Sequence, residues 1–303
     1  MGVAWLFPGQ GSQYVGMAGA WALRSSCARD ALSEASEALG FDLQRLLREG
    51  PESVLNDTYN QQPALLAASV AILRSAHDDL PPPGFVAGHS LGEYTALVAA
   101  GALGYPEALG LVRERGRLMR EAGSLSPGAM AAILGLDDAQ VEVVCGPIPN
   151  LQVANYNAPG QVVISGERSA VEAAAEALKD AGAKRTVMLP ITIAAHSALM
   201  APAAAALSRA IDQAGISDAS TPLVANLSAR PIRAAADIGA ELRGQLTGSV
   251  RWTESVRHLA AAGVDQYFEI GPGTVLTGLV KRILRDQADV QATVVSLDQP
   301  PAA

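Results

Sequence analysis

Cysteine is scarce in this chain: Cys27 and Cys145 are the only two among 303 residues. Two cysteines make neither a disulfide framework nor a metal cluster, and each is expected to be a small buried hydrophobe. Charge is thin as well. Asp, Glu, Lys and Arg make up 17% of the chain, against roughly 25% in an average soluble protein. Basic residues are in deficit, 22 against 30 acidic, a formal net charge of −8. That balance argues against nucleic acid as a partner. Aromatics supply only 4%, so alanine carries much of the 49% apolar content. No apolar run approaches the roughly 18 residues of a membrane span, and so much apolar surface with so little charge argues against disorder. The N-terminal run from Val3 to Phe7 has no basic residues before it and is stopped by Pro8-Gly9, too early for a signal peptide. Gly2 is followed by Leu6 where a myristoylation signal wants Ser or Thr. These features point to a cytoplasmic protein of one large or two modest domains.

What is present alternates. Short apolar strands (3–7, 85–87, 222–226, 265–270 and 293–296) are separated by helical patterns near 28–39, 43–48, 63–76, 106–122, 197–214, 234–247, 253–262 and 275–286. That rhythm predicts a parallel sheet covered on both faces. The segment 129–191 breaks it. A strand (129–136), a helix (137–145), two close strands (151–157 and 161–165), a helix and a last strand (184–191) give the order β-α-β-β-α-β of a ferredoxin-like split unit. Ser169-Ala-Val-Glu172 reads as a capping box for its second helix. The expected architecture is therefore an α/β-hydrolase-like large subdomain (1–125 and 194–303) with an inserted ferredoxin-like α+β small subdomain (126–193).

The sharpest local signal is Gly88-His-Ser-Leu-Gly92, which matches G-x-S-x-G, the nucleophile elbow. A tight strand-to-helix turn would expose the Ser90 hydroxyl at the sheet edge, and the N–H groups that open the helix would be placed to stabilise an oxyanion. In a chain with 29 glycines the five-residue pattern alone is weak; the strand before it and the helix pattern after it strengthen it. A serine nucleophile needs a base, and there are four histidines. His77 lies in a polar stretch, His89 is turned away by its place beside Ser90, and His258 is inside a helix pattern. His196, at the end of a strand-like run, is left. No nearby Asp or Glu offers itself as the third member; a backbone or amide carbonyl would serve, because the task is to orient the ring. Gly271-Pro-Gly-Thr-Val-Leu-Thr-Gly278 lacks Gly-Lys-Ser/Thr and reads as a structural turn, not a phosphate loop.

Seven segments in this order then resemble one family: Phe7-Pro-Gly-Gln-Gly-Ser-Gln13, Gly88-His-Ser-Leu-Gly-Glu-Tyr94, Arg113-Glu-Arg-Gly116, Asn155-Tyr-Asn-Ala-Pro-Gly-Gln161, His196-Ser-Ala-Leu-Met200, Gln245-Leu246 and Gly271-Pro-Gly273. Together they are similar to the malonyl-CoA:acyl carrier protein transacylases, acyltransferases of fatty acid and polyketide synthesis, over about residues 3–298. The resemblance implies that Ser90 carries the malonyl group and His196 is its base, with the N–H groups of Gln10 and Leu91 as oxyanion hole. It implies that Arg115 pairs with the free malonyl carboxylate, which suits a planar guanidinium. Gln245 would supply the carbonyl that orients His196, Gln62 would line the pocket, and Asn155 and Asn157 would lie near the coenzyme A arm. Malonyl-CoA and acyl carrier protein are the implied partners of a monomer that needs no cofactor and no metal. Carrier proteins are acidic, so docking on a chain of net charge −8 needs a local basic patch, for which Lys281, Arg282 and Arg285, with Lys184 and Arg185, are candidates.

Two departures from the family pattern stand out. Ala195 replaces the usual Ser or Phe beside His196 and would widen the acyl pocket. The segment Gln245-Leu-Thr-Gly-Ser-Val-Arg-Trp252 lacks a common proline, so its loop would be more flexible. A serine thioesterase would share Ser90 and His196 but release free malonate. A scaffold protein would not acylate Ser90. A stand-alone acyltransferase serving a polyketide synthase would share every residue and differ in its carrier.

Overall fold

The computed structural model describes residues 2–286 and 291–301. Among these residues ten strands form two sheets. β1 (Gly2–Phe7), β2 (Phe85–Gly88), β7 (Leu223–Val224), β8 (Pro231–Ile232), β9 (Val264–Glu269) and β10 (Thr293–Ser296) make a six-stranded sheet, in the order β10-β9-β1-β2-β7-β8. All its pairs are parallel except β7 with β8. β3 (Gly128–Leu134), β4 (Leu151–Ala158), β5 (Gln161–Glu167) and β6 (Arg185–Met188) make an antiparallel sheet in the order β4-β5-β3-β6. With helices Asp138–Cys145 and Arg168–Asp180 between its strands, this segment has the expected β-α-β-β-α-β order.

β1 shows why the large sheet is central. Val3, Trp5 and Phe7 pack into one apolar cluster, Ala4 and Leu6 into a second on the opposite face. A strand with both faces buried reads as a continuous apolar run. The first cluster is built largely by Thr58–Ala76, Gly92–Ala99 and Tyr105–Leu125, the second by Trp252–Ala261 and Val275–Arg285. Alanine permits the close approach: Ala64, Ala67, Ala68 and Ala71 of one helix are all fully buried. Among the described residues no helix is long and apolar enough to cross a membrane.

Several local expectations change. The helix expected at 63–76 starts at Thr58, where Asp57 accepts the Tyr59 N–H at 2.9 Å, and it carries Pro63 inside. Proline suits a helix start, but here the Asp57 cap six residues upstream sets the boundary, which brings Gln61 and Gln62 onto the helix. Helix Arg168–Asp180 begins before Ser169, whose hydroxyl donates to Glu167 instead of capping; the capping box belongs to Asp137 and Gln140 on the preceding helix. The helix-like run at 197–214 opens as a 3-10 turn (Ala198–Met200) before helix Ala201–Gln213. Cys145 is buried as expected, but Cys27 is exposed, because it lies on the outer face of helix Ser26–Leu39.

Candidate active site

β1 and β2 end level with each other, Phe7 opposite Gly88, and the loops that leave them cross at close range. A methyl group on Gly92 would sit 2.0 Å from the Phe7 carbonyl oxygen, one on Gly88 2.0 Å from the Gly92 backbone, and one on Gly9 2.4 Å from the His89 oxygen. Only glycine allows this crossing, and both glycines of the pentapeptide are needed for it. Between them Ser90 is forced to φ 52°, a region that costs a non-glycine residue roughly 1–3 kcal/mol. Helix Gly92–Ala99 follows immediately.

Ser90 Oγ lies 2.8 Å from His196 Nε2, and both residues are buried. His196 Nδ1 faces two carbonyl oxygens, Gln245 O at 2.9 Å and Gly248 O at 3.0 Å. A carbonyl only accepts, so Nδ1 carries the proton and Nε2 is free to accept from Ser90. Main-chain oxygens thus do the orienting work that a carboxylate does in other triads. Burial, then the charge of Arg115, push the His196 pKa down to about 3, so the ring is neutral at physiological pH. The other histidines are placed elsewhere: His77 is exposed beside Asp78, and His89 packs at 5.6 Å from the Trp252 ring with Nε2 2.8 Å from Asn157 Oδ1.

Of the four arginines on helix Tyr105–Leu125, three stay outside the site. Arg113 lies over the Tyr59 and Phe41 rings, Arg117 pairs with Glu114 and Glu121, and Arg120 pairs with Asp57. Arg115 alone is fully buried. Its Nη1 donates to Gln62 Oε1 at 2.8 Å, and its Nη2 to Gln245 Oε1 and to Ser90 Oγ, both at 3.1 Å. Its Nε has no acceptor, and burial lowers its pKa. Among the described residues no carboxylate pairs with it. A guanidinium remains charged there, held by neutral oxygens and lacking a counter-ion.

The remaining expected residues lie around this centre. Gln10 is exposed, and its side-chain amide donates to Thr58 Oγ1 and Gln61 Oε1; Leu91, the residue after the nucleophile, is the N-cap of the helix. Asn155 is buried on β4 and bridges to Val250, while Asn157 holds His89. Ala195 packs both on the large core and on Met130, Ala154 and Val163 of the small sheet. The 271–278 turn spends its polar groups internally: Glu269 accepts the Leu276 and Thr277 N–H groups and Asp298 the Gly273 N–H. Arg282 reaches Gln161 at 3.2 Å, whereas Lys281 and Arg285 border a separate cavity of about 300 Å³ with Leu284, Ala292 and Val294.

Four contributors escape sequence reasoning. Asn226 closes the elbow, its Oδ1 accepting the Ser90 N–H and its Nδ2 donating to Gly88 O, both at 2.7 Å. Gln152 of β4 donates to His196 O at 2.8 Å and Thr247 O at 3.0 Å. Glu93, inside the quoted motif, is fully buried against Asn226 and Gln245. The Gly248 carbonyl has no side-chain signal at all. A nucleophile with a neutral base and an unpaired buried cation both within hydrogen-bond reach of its hydroxyl equips this site for acyl transfer.

Comparison with known proteins agrees. The chain matches the acyl transferase domain over residues 4–300. It is 45% identical over 303 residues to the malonyl CoA-acyl carrier protein transacylase of Salmonella typhimurium, covering 99% of this chain and 96% of the relative. The crystal structure of an acyl carrier protein S-malonyltransferase from Vibrio cholerae superposes with a TM-score of 0.94 at 42% identity, covering 99% and 98% of the two chains. A malonyl-transacylase in complex with a type II PKS acyl-carrier protein gives 0.92 at 43% identity, covering 98% and 95%. Fold, site and relatives together establish that the chain belongs to the acyl transferase domain family.

Proposed function

We propose that this enzyme transfers the malonyl group of malonyl-CoA to the phosphopantetheine thiol of an acyl carrier protein, through a malonyl ester on Ser90, in fatty acid synthesis. The observation that carries the reading is Arg115: a fully buried guanidinium 3.1 Å from the Ser90 hydroxyl, with no carboxylate of its own. A malonyl group brings the missing carboxylate to that place.

His196 takes the Ser90 proton as Oγ attacks the thioester carbonyl. The N–H groups of Leu91 and Gln10 receive the charge that builds on the carbonyl oxygen. Collapse breaks the carbon–sulfur bond, and His196 returns the proton to the leaving coenzyme A thiol. The carrier thiol then repeats the sequence in reverse: it gives its proton to His196, attacks the ester, and Ser90 is released with that proton. Base, nucleophile and anion clamp are side chains of one chain, which supports a monomer as the working form; the reading takes the enzyme as cytoplasmic and without a cofactor. Gln62 and Gln245 hold Arg115, and Asn155 and Asn157 lie toward the coenzyme A arm. The segment 126–193 acts as a small subdomain that closes over the Ser90 edge of the large one (1–125 and 194–303). A polyketide carrier is a second acceptor to test, because a relative of 43% identity is held in complex with one.

The test is intact-mass measurement after mixing with malonyl-CoA, acetyl-CoA or methylmalonyl-CoA, followed by each carrier. The wild type is expected to gain a malonyl adduct that the carrier discharges, and Ser90→Ala none. Rapid loss of the adduct to water, without a carrier, would replace transfer by hydrolysis. Arg115→Ala is expected to lower the malonyl:acetyl preference about ten- to a hundredfold, the worth of a charge-assisted pair of about 1.5–3 kcal/mol; an unchanged ratio removes Arg115 from substrate recognition.

A further inference from the structure

The elbow and the anion clamp share a support that touches neither the acyl group nor the thiol. Glu93 stands in the first turn of helix Gly92–Ala99 and is fully buried. One carboxylate oxygen accepts the Asn226 backbone N–H at 2.9 Å and Asn226 Nδ2 at 3.0 Å. The other accepts Gln245 Nε2. Asn226 follows β7, the strand beside β2, and its other amide contacts are those that close the elbow on Gly88 O and Ser90 N. Gln245 Nε2 also donates to the Ser90 carbonyl at 3.0 Å, while Gln245 Oε1 accepts from Arg115.

The polarity of this chain of amides runs one way only. The Ser90 N–H needs an oxygen and the Gly88 carbonyl needs an N–H, so the backbone fixes how Asn226 turns. Burial, then the neighbouring Glu241, push the Glu93 pKa up, yet both its oxygens are met by N–H donors and act as acceptors, so Gln245 must also turn its NH2 toward Glu93. Its oxygen is left over, and that oxygen meets Arg115. The opposite flank repeats the logic. Gln62 gives its NH2 to Thr58 Oγ1 and Met119 Sδ, and its oxygen meets Arg115 Nη1. Two neutral oxygens therefore grip the guanidinium without cancelling its charge. Glu93 acts on that charge electrostatically yet is held one amide away, too far to satisfy it as an ion pair.

We propose that Glu93 is a positioning residue for acyl selectivity: through Gln245 it sets the oxygen that aims Arg115 at the acyl carboxylate, and through Asn226 it sets the elbow that carries Ser90. The proposal rests on the malonyl-transfer reading. Glu93→Gln keeps the shape of the side chain and exchanges one acceptor for a donor. Two NH2 groups then face each other, or Gln245 turns and presents its own NH2 to Arg115. In both arrangements the clamp is disturbed, whereas a merely loosened elbow slows every acyl group alike.

The experiment is steady-state kinetics of wild type and Glu93→Gln with malonyl-CoA and acetyl-CoA, on protein shown to be folded by circular dichroism. The malonyl:acetyl ratio of kcat/KM is expected to fall about tenfold or more, the usual effect of breaking one hydrogen bond to a charged group, with a rise in KM for malonyl-CoA. If Glu93→Gln does not fold, Gln245→Met serves; it keeps the main-chain carbonyl for His196, removes only the amide, and is expected to give the same fall. An unchanged ratio in a folded variant overturns the proposal. A wild type that forms no malonyl adduct overturns the functional reading instead, and the two failures are distinct.

Discussion

Ser90 and His196 both occupy left-handed backbone, φ 52° and 59°, and neither is a glycine. Each conformation is held from outside: Ser90 by Asn226 and the crossing glycines, His196 by Gln152 on its carbonyl and by the two carbonyls on its ring. The buried neutral ring has a pH consequence. Its pKa falls from 6.5 to about 3 on folding. Between those values the unfolded chain binds a proton that the native chain does not, so native stability is lost as pH drops below 6.5. From pH 6.5 to about 5 this amounts to about 2 kcal/mol. His196→Gln is therefore expected to lose about 2 kcal/mol less than wild type between pH 7.5 and 5, read as the shift in urea midpoints; equal losses would mean that the ring titrates normally in the folded protein. Ser90 is legible in the sequence because its glycines mark the strain, and His196 because few histidines compete. Gln245 was legible only through resemblance, since its role on His196 is a main-chain one. Asn226 is invisible: nothing about an asparagine after a short strand says that it will close an elbow contributed by residues more than a hundred positions earlier.

At the scale of elements, the site is a crossing of β1, β2 and the helix between Gly92 and Ala99. The same chemical change has opposite expected effects inside and outside that crossing. Gly92→Ala drives a methyl group into the Phe7 carbonyl, backbone against backbone, and is expected to cost about 3 kcal/mol or more. Gly278→Ala adds a methyl group to an exposed helical position with nothing within 4 Å and is expected to add about 1 kcal/mol of stability. Urea unfolding of the two variants checks the contrast; a tolerated Gly92→Ala would mean that the two strand ends do not pack as closely as described. Strand positions were legible because β1, β2 and β10 are short, largely apolar runs bounded by turn residues, and β9 places Tyr267 and Phe268 before such a turn. Helix starts were less so. Pro63 imitates a first-turn residue, and only the Asp57 cap moves the boundary back to Thr58. Ser169 and Glu172 have capping-box spacing, but Arg168 already lies in the helix, so spacing without the preceding backbone is ambiguous.

For the whole molecule, the net charge of −8 opposes encounter with an acidic carrier, so where the cations gather matters more than their sum. The candidate docking cations lie in two segments, 184–185 and 281–285, about a hundred residues apart. The small sheet brings the segments together. A methyl group on Gly160 would lie 3.3 Å from Arg282 Nη2 and 3.8 Å from Gly135 Cα, and one on Gly135 would lie 2.5 Å from the Lys184 side chain. Lys184 and Arg282 are exposed and share the corner where the β3–helix and β4–β5 turns meet helix Val275–Arg285; Lys281, also exposed, precedes Arg282 on that helix and borders the cavity it lines with Arg285. Arg282 is partly committed to Gln161, so reversing its charge would disturb the corner as well as the field. Lys184 and Lys281 test the field alone. The double variant Lys184→Glu, Lys281→Glu is expected to raise the KM for acyl carrier protein about tenfold at low salt and to leave malonyl loading of Ser90 from coenzyme A unchanged. The difference from wild type should shrink as ionic strength rises, because exposed charges are screened beyond about 10 Å at 0.1 M salt. Equal effects on carrier and coenzyme A kinetics, or an effect insensitive to salt, would place the docking face elsewhere, since a surface that steers an acidic partner must respond to both charge reversal and screening.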